Sequence, residues 1–333
     1  MTGMDWKVFG HEWAAEILAV HAAQDTLRHA YLFTGPPGIG RRTLALRFAQ
    51  AINCLTPTAP GLPCRACRTC RQIESQQFPD LSILKAEGGS REIKIDQVRT
   101  LQRTLMLAPY AARYRVGLLL DFQNANESAQ NAMLKTLEEA PTRVILLATT
   151  DAQENLLPTI LSRCEIMRLR PLPLDRAAAA LMDEAHIEAA EARRLAHLSG
   201  GRVGYALQLH ANPKQLDKRQ ALLEQALSLV QANRRTRFAY VEVLTKDKEG
   251  PREAVRQALE VWISLWRDVM LCASGAQTPL VNVDSEAALR ALARQVEVSQ
   301  ARALAARLTL ALDQLDGNVN PRLLAETLLL DWP

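Results

Sequence analysis

The stretch Tyr31-Leu-Phe-Thr-Gly-Pro-Pro-Gly-Ile-Gly-Arg-Arg-Thr43 decides the fold of this chain. A short apolar run ends at Gly35, and a helical pattern starts directly after Gly40. Glycines let backbone N–H groups approach phosphate oxygens, and the start of a helix adds a favourable field for anions. The order of strand, glycine-rich loop and helix therefore predicts a P-loop. Weak nucleotide binding and a turn retained only for structure are both open interpretations.

Two departures from the P-loop pattern predict that ATP hydrolysis is lost. Arg41 stands at the lysine position and Arg42 at the hydroxyl position, and Thr43 comes one residue late. A guanidinium does not replace the compact ammonium that sits between the outer phosphates. Further along, the apolar run 116–120 delivers Asp121 to a strand end, where P-loop ATPases hold a metal ion. Phe122 follows in place of a glutamate that would polarise water, and a phenyl ring is no base.

Around this loop, short apolar runs alternate with helical patterns, which is typical of a parallel sheet covered by helices on both faces. Asp96 is interpreted as the N-cap of one of these helices. The strands are expected at 31–34, 81–84, 116–120, 144–148 and 166–169.

Two breaks divide the chain further. Pro171 and Pro173 end the strand pattern, and Asn212-Pro213 precedes longer helices. We therefore expect an α/β domain over 1–170, a small three-helix domain over 171–212 and an all-α domain over 213–333. In the last of these, the helical stripe that contains Trp262 and Trp266 is interpreted as core.

Composition agrees with a multidomain globular protein. The chain has 333 residues, of which 48% are apolar and 23% charged, so more than one core is expected. The sequence has no apolar run long enough for a membrane span, and residues 1–9 lack a signal-peptide pattern, so a cytoplasmic location is expected. The net charge is +4, and the cluster Arg234, Arg235 and Arg237 is interpreted as a solvated face rather than a DNA-gripping patch.

Four of the six cysteines lie close together, at Cys54, Cys64, Cys67 and Cys70. In a cytoplasmic chain such clustering favours a metal over disulfides. Four thiolates suit tetrahedral zinc, and the two Cys-x-x-Cys steps point their sulfurs to one centre. A closed structural zinc site that braces an inserted loop is therefore predicted, and DNA binding by this knuckle is the less favoured alternative.

Several motifs together resemble the AAA+ clamp-loader subunits of bacterial DNA polymerase III. They cover nearly the whole chain: the glycine-rich loop, the cysteine spacing, Asn131-Ala-Met-Leu-Lys-Thr-Leu-Glu-Glu-Ala-Pro141, Leu146-Leu-Ala-Thr-Thr150, Leu161-Ser-Arg-Cys164 and Asn318-Val-Asn-Pro-Arg-Leu-Leu-Ala-Glu-Thr-Leu-Leu-Leu330. The resemblance implies an AAA+ P-loop domain with a zinc-binding insertion, a helical lid and a C-terminal helical collar.

Within that family, the chain resembles the non-hydrolysing delta-prime branch. The motor subunits keep the lysine, the hydroxyl, the Asp-Glu pair and a second-sensor arginine, which would fall near Gly204; Arg202 lies two residues early. By resemblance, Arg163 matches an arginine finger that reaches a neighbouring subunit's ATP. The four cysteines match zinc ligands, and Thr149 or Thr150 matches the first sensor. What remains of a nucleotide site is degenerate and comprises Gly35, Gly38, Gly40, Arg41 and Asp121.

The implied partners are the gamma or tau motor subunits and the delta subunit of a hetero-pentamer. Through that complex, the chain would act on the sliding clamp and primed DNA, with no membrane involved. Its activity would be that of a part of a DNA-directed DNA polymerase holoenzyme, without ATPase of its own. An ATP-hydrolysing motor subunit and a zinc-dependent DNA-binding module are the alternatives.

Overall fold

The computed structural model describes residues 6–87, 92–246, 250–317 and 319–333. The start of the N-terminal segment considered above, residues 1–5, and Asn318 of the C-terminal motif lie outside these ranges. The described residues form two compact units. The first runs to Leu172 and includes Arg202–Tyr205, and the second holds Pro173–Gly201 and the residues from Ala206 onward.

The first unit is built on a five-stranded parallel sheet of order β2-β3-β4-β1-β5. Its strands β1, β3 and β4 are buried along their whole length, as a sheet covered on both faces requires. The strand bounds are β1 Ala30–Thr34, β2 Leu81–Leu84, β3 Arg115–Leu119, β4 Val144–Thr150 and β5 Glu165–Arg168. All five predicted strands are confirmed, within one or two residues at their ends.

Helices cover the two faces of this sheet with separate apolar clusters. Alternate residues of β1 divide between them: Tyr31 and Phe33 pack on one side, and Ala30 and Leu32 on the other. The helices are α1 Glu12–Gln24, α2 Arg41–Asn53, α3 Arg68–Glu74, α4 Ile95–Leu105, α5 Glu127–Glu138 and α6 Pro158–Leu161, with 3₁₀ turns at Phe122–Asn124 and Gln153–Asn155. Lys94 caps α4, so the interpretation of Asp96 as N-cap was wrong, and Asp96 lies in the first turn instead.

The sheet register brings the predicted motif residues to one edge. Thr34 at the end of β1 lies beside Thr150 at the end of β4. The N–H of Gly35 then donates to the Thr150 carbonyl at 3.2 Å, which continues the ladder into the loop. Because all strands are parallel, the carboxyl ends of β1, β3 and β4 meet there, and Asp121 follows β3 closely.

The described residues of the second unit form helices joined by loops, with no strand among them. The unit comprises α7 Leu174–Ala185, α8 Ala189–Ser199, most of α9 Val203–Ala211, α10 Pro213–Val230, α11 Arg234–Leu244, α12 Pro251–Ser274, α13 Glu286–Ala293, α14 Val298–Asp316 and α15 Pro321–Leu330, with a 3₁₀ turn at Val283–Ser285. Trp262 and Trp266 are fully buried in its core, as predicted, and Trp332 packs edge-on against both rings. Within this unit the division into a lid and a collar stays a prediction. Of the helices in the described ranges, none is long and apolar enough to cross a membrane.

Arg237 corrects the interpretation of the arginine cluster as a solvated face. Its side chain is buried, with 6% of the residue exposed. The guanidinium donates to backbone carbonyls of Leu229 and Val230 at the end of α10, and of Leu329, Trp332 and Pro333 around the end of α15. Carbonyls at a helix end lack partners inside the helix. Arg237 therefore ties two helix ends together, a role that sequence spacing does not indicate.

Candidate functional site

The glycine-rich loop has the backbone of a P-loop. Gly38 and Gly40 both have left-handed φ values, 75° and 106°, which side chains rarely tolerate. Gly40 caps α2, so the first N–H groups of that helix face the loop. These two glycines thus have the backbone that a tight loop before a helix requires, and nucleotide binding by the loop stays a prediction.

Arg41 is buried and pairs with the acidic residue that follows β3. Its Nη2 lies 3.2 Å from Oδ1 of Asp121, and its side chain is 9% exposed against 52% for the carboxylate. Burial lowers the pKa of the Arg41 guanidinium, and the charges of Asp121 and Asp151 offset part of that effect. The arginine remains charged at any physiological pH. The residue at the lysine position thus binds the carboxylate that would hold a metal.

The start of α9 closes on the same loop. The Tyr205 N–H donates to the Gly38 carbonyl at 3.0 Å, and Arg202 Nη1 donates to the Pro37 carbonyl at 3.1 Å. A side chain at Gly204 would meet the Gly38 carbonyl at 2.6 Å, so the position where a second-sensor arginine is expected has no room for one. Arg202 also lies over the Tyr205 ring, 4.8 Å from its centroid.

The acidic position after β3 is also unsuited to hydrolysis. Asp121 has a left-handed backbone, and its N–H donates to Oγ1 of Thr149 at 2.8 Å. The same turn sends Phe122 into the apolar cluster beside Ile93 and Met133, where 1% of it is exposed. The side chain at the expected base position therefore points into the core. Of the two threonines, Thr149 is the one that contacts the acidic residue.

Arg163 lies at the surface, on the loop between α6 and β5. Its Nη2 is 2.7 Å from Oε1 of Glu138, and its Nη1 donates to the Thr159 carbonyl at 2.9 Å. One third of its side chain, 33%, is exposed. Burial raises the pKa of the adjacent Cys164 thiol to about 12, so that thiol is neutral. The guanidinium therefore lies at the surface beside the Glu138 carboxylate. Glu138 belongs to the motif 131–141, but its position in the sequence predicts no role for it.

The four clustered cysteines converge as predicted. The sulfurs of Cys54, Cys64, Cys67 and Cys70 all lie within 4.8 Å of one another. Sulfurs about 2.3 Å from a tetrahedral zinc ion stand roughly 3.8 Å apart, so the arrangement fits such an ion. Backbone N–H groups of Cys64 and Cys67 donate to the preceding sulfurs at 3.3 and 3.2 Å, which fixes each sulfur's direction. Hydrogen bonds, first from the Thr56 hydroxyl, lower the pKa of the Cys64 thiol to about 6.

Sequence reasoning missed a buried ion pair that shapes the neighbouring loop. Asp80 is fully buried and lies 2.9 Å from Nη2 of Arg115. Its carboxylate also accepts the N–H groups of Tyr110, Ala111 and Ala112 at 2.7–2.9 Å. These bonds lower the pKa of Asp80 although burial alone would raise it. A single Asp before a strand gives no signal of such a role.

Comparison with known proteins places these features in one family. The model of "DNA polymerase III, delta subunit" matches residues 10–173, and that of "DNA polymerase III, delta subunit, C terminal" matches 213–333. The chain is 27% identical to the delta' subunit of Bacillus subtilis over 92% of this chain and 91% of that one. It is 37% identical to the delta' subunit of Pseudomonas aeruginosa over 55% of this chain and 56% of that one.

The tau subunits match about half of this chain and a smaller share of their own length. Identity to the tau subunit of Salmonella typhimurium is 38%, over 58% of this chain and 30% of that subunit. The chain thus spans less than two thirds of the tau and Pseudomonas relatives it matches. Both of its units carry a matching family model, and the AAA+ fold with its helical C-terminal region agrees with them. The chain belongs to the family of DNA polymerase III delta and delta-prime subunits.

Proposed function

We propose that this chain is the delta-prime subunit of a bacterial DNA polymerase III clamp loader, a stator that does not itself hydrolyse ATP. It supplies Arg163 to ATP held by a neighbouring motor subunit while the complex loads a sliding clamp onto primed DNA. The observation that carries the proposal is a contrast: Arg41 is buried and paired with Asp121 beside the glycine-rich loop, whereas Arg163 is partly exposed at the surface. A guanidinium at a neighbour's γ-phosphate stabilises the charge that develops during hydrolysis.

Partners and location follow from this assignment as parts of the same proposal. The chain joins gamma or tau motor subunits and a delta subunit in a hetero-pentamer, in the cytoplasm, and it reaches the clamp and DNA through that complex. Residues 171–212 serve as the lid and 213–333 as the collar through which the subunits assemble. The start of the second family model at 213 supports that boundary.

Zinc is proposed as the resident metal of the cysteine cluster. The four sulfurs form a closed ligand set, which leaves no position for substrate, so the metal would be structural. Metal analysis of the purified chain is expected to find one zinc per chain. An absence of zinc, with all four thiols freely titratable, would refute this assignment.

The finger assignment is tested in the reconstituted complex. The full chain is combined with motor subunits, a delta subunit, clamp and primed DNA, and Arg163→Ala is compared with Arg168→Ala, an arginine on β5 that is exposed. To isolate this one interface, the motor subunits carry alanine at their own corresponding arginine. Arg163→Ala is expected to lower the remaining clamp-dependent ATP hydrolysis about 10³-fold, and Arg168→Ala to leave it unchanged. Unchanged hydrolysis and clamp loading with Arg163→Ala would remove the finger role.

An ATPase assay on the purified chain distinguishes a stator from a motor subunit. The purified chain alone, with magnesium and ATP, is expected to show no turnover above the buffer rate. Robust magnesium-dependent hydrolysis would contradict the stator. Tight duplex binding by the isolated chain that is lost on chelation would favour a zinc-dependent DNA-binding module instead.

A further inference from the structure

We propose that Glu138 is a positioning residue for Arg163, and this inference rests on the proposed finger function. The carboxylate holds the guanidinium at the surface in the orientation in which it meets a neighbouring subunit's phosphate. Glu138 itself touches neither nucleotide nor water in this scheme. Glu138 acts by fixing the orientation of the Arg163 side chain and restricting the number of its rotamers.

The contacts on Arg163 come from three acceptors. Oε1 of Glu138 lies 2.7 Å from Nη2, the Thr159 carbonyl 2.9 Å from Nη1, and the Ser162 hydroxyl 3.4 Å from Nη1. A guanidinium carries five N–H donors in a fixed plane. Three contacts therefore fix the plane and still leave donors for a phosphate, which arginine binds through paired hydrogen bonds.

The two residues are carried by elements that are locked to each other. Glu138 is the last residue of α5, and Arg163 follows α6 closely. Gln130 of α5 is buried, and its amide donates to the Asn155 carbonyl at 3.0 Å while its oxygen accepts the Leu157 N–H at 2.9 Å. Leu157 is the N-cap of α6. Gln130 thus fixes the segment that leads into the finger relative to the helix that carries the carboxylate.

Stability alone gives little reason for the pair. The side chains of Arg163 and Glu138 are 33% and 50% exposed, and exposed ion pairs add little to folding. Orientation is a stronger reason, because an arginine in water samples many rotamers and a misplaced catalytic group loses rate steeply. A carboxylate that restricts the rotamers of Arg163 before the subunits assemble avoids this loss of rate.

The experiment uses the complex already described, in which Arg163 is the only finger left. Glu138→Ala and Glu138→Gln are compared with Glu138→Asp, which keeps the charge on a shorter side chain. Glu139→Gln is the control, since Glu139 is an exposed neighbour of the same charge. We expect Glu138→Ala to lower kcat for ATP about ten-fold while KM changes by less than about two-fold. Glu138→Asp recovers part of the rate, and Glu139→Gln has none of these effects.

A double-mutant cycle distinguishes positioning from general damage. If Glu138 acts through Arg163, Glu138→Ala has no further effect once Arg163 is alanine. The melting temperature of Glu138→Gln is expected to stay within about 2 °C of the parent, and this variant decides the test should Glu138→Ala unfold. Undiminished or raised kcat in both Glu138 variants, with Arg163→Ala still deleterious, overturns the inference. Undiminished kcat in Arg163→Ala overturns the proposed function instead.

Discussion

Arg41 and Arg163 lie in the same unit, and each is paired with a half-exposed carboxylate, yet the two arginines differ in burial and in the number of their contacts. Arg41 is buried with one ion-pair contact at 3.2 Å, and its Nη1 has no hydrogen-bond partner among the described residues. Arg163 is partly exposed with contacts from three acceptors. A buried guanidinium loses hydration that a single hydrogen bond does not fully replace, whereas a surface guanidinium keeps both water and partners. The comparison shows that the same residue type is buried against one carboxylate and held at the surface by another.

The largest expected effect tests whether the pocket could be repaired. Phe122→Glu places a carboxylate in the apolar cluster that now holds the ring, so it is expected to destabilise the chain by about 4 kcal/mol. It is expected to give no ATPase activity, because the new side chain points away from Arg41. Urea unfolding and a turnover assay check both parts. Phe122→Leu is the apolar control, and hydrolysis by Phe122→Glu would show that the pocket is closer to active than its geometry indicates.

Asp80→Asn tests the Asp80–Arg115 pair, in which, unlike the pairs of Arg41 and Arg163, both side chains are buried. Removing the charge from a fully buried carboxylate leaves the Arg115 guanidinium without its ion-pair partner, and the expected loss of stability is about 3 kcal/mol at pH 7. The folded pKa of Asp80 is lowered, so its contribution is fully present above the unfolded pKa of about 4 and is lost as pH falls through the folded value.

The pH dependence checks this assignment independently. Between neutral and acidic pH, the parent chain is expected to lose more stability than Asp80→Asn, because only the parent has this carboxylate to protonate. Chemical unfolding at several pH values measures the difference. Parallel stability curves for the two chains would show that the Asp80 pKa is not lowered in the fold.

Two matched substitutions compare the arginines directly. Arg41→Met replaces a desolvated charge by an apolar side chain of similar length, and we expect it to raise stability by about 1 kcal/mol. Arg163→Met removes an exposed pair and is expected to change stability by less than about 0.5 kcal/mol. Thermal or urea unfolding of both variants measures these values. A clear loss of stability in Arg41→Met would mean that the Arg41–Asp121 pair stabilises the loop, contrary to the expected gain.

The smallest expected effect concerns magnesium. Asp121 is already paired with Arg41, and Arg42 stands where a metal-binding hydroxyl is expected. Few ligands are therefore left for a magnesium ion. If the chain binds ATP at all, magnesium is expected to change its affinity by less than about two-fold. Titration of ATP with and without magnesium measures this. Strong magnesium dependence would place a metal at Asp121 after all.

Fold prediction from sequence succeeded where a local pattern reflects a local cause. Glycine spacing predicts a backbone with left-handed φ values, and apolar runs predict strands buried on both faces. Cys-x-x-Cys steps predict sulfurs that converge within a turn. The tryptophan stripe of α12 reports a buried helix face in the same way. Each of these signals lies within about a dozen residues of chain, so neighbours along the sequence are also neighbours in space.

Contacts between distant segments required the tertiary structure. Arg41 meets Asp121 across 80 residues, Arg163 meets Glu138 across 25, and Arg237 reaches the end of α15 across more than 90. Sequence alone determined which residues carry charge, glycine or sulfur, and therefore that the P-loop was incomplete. Only the fold decided which arginine is buried, which is exposed and which joins two helices. The physical reason is that hydration and ion pairing depend on burial and partner distance, and both are set by packing between elements rather than by order along the chain.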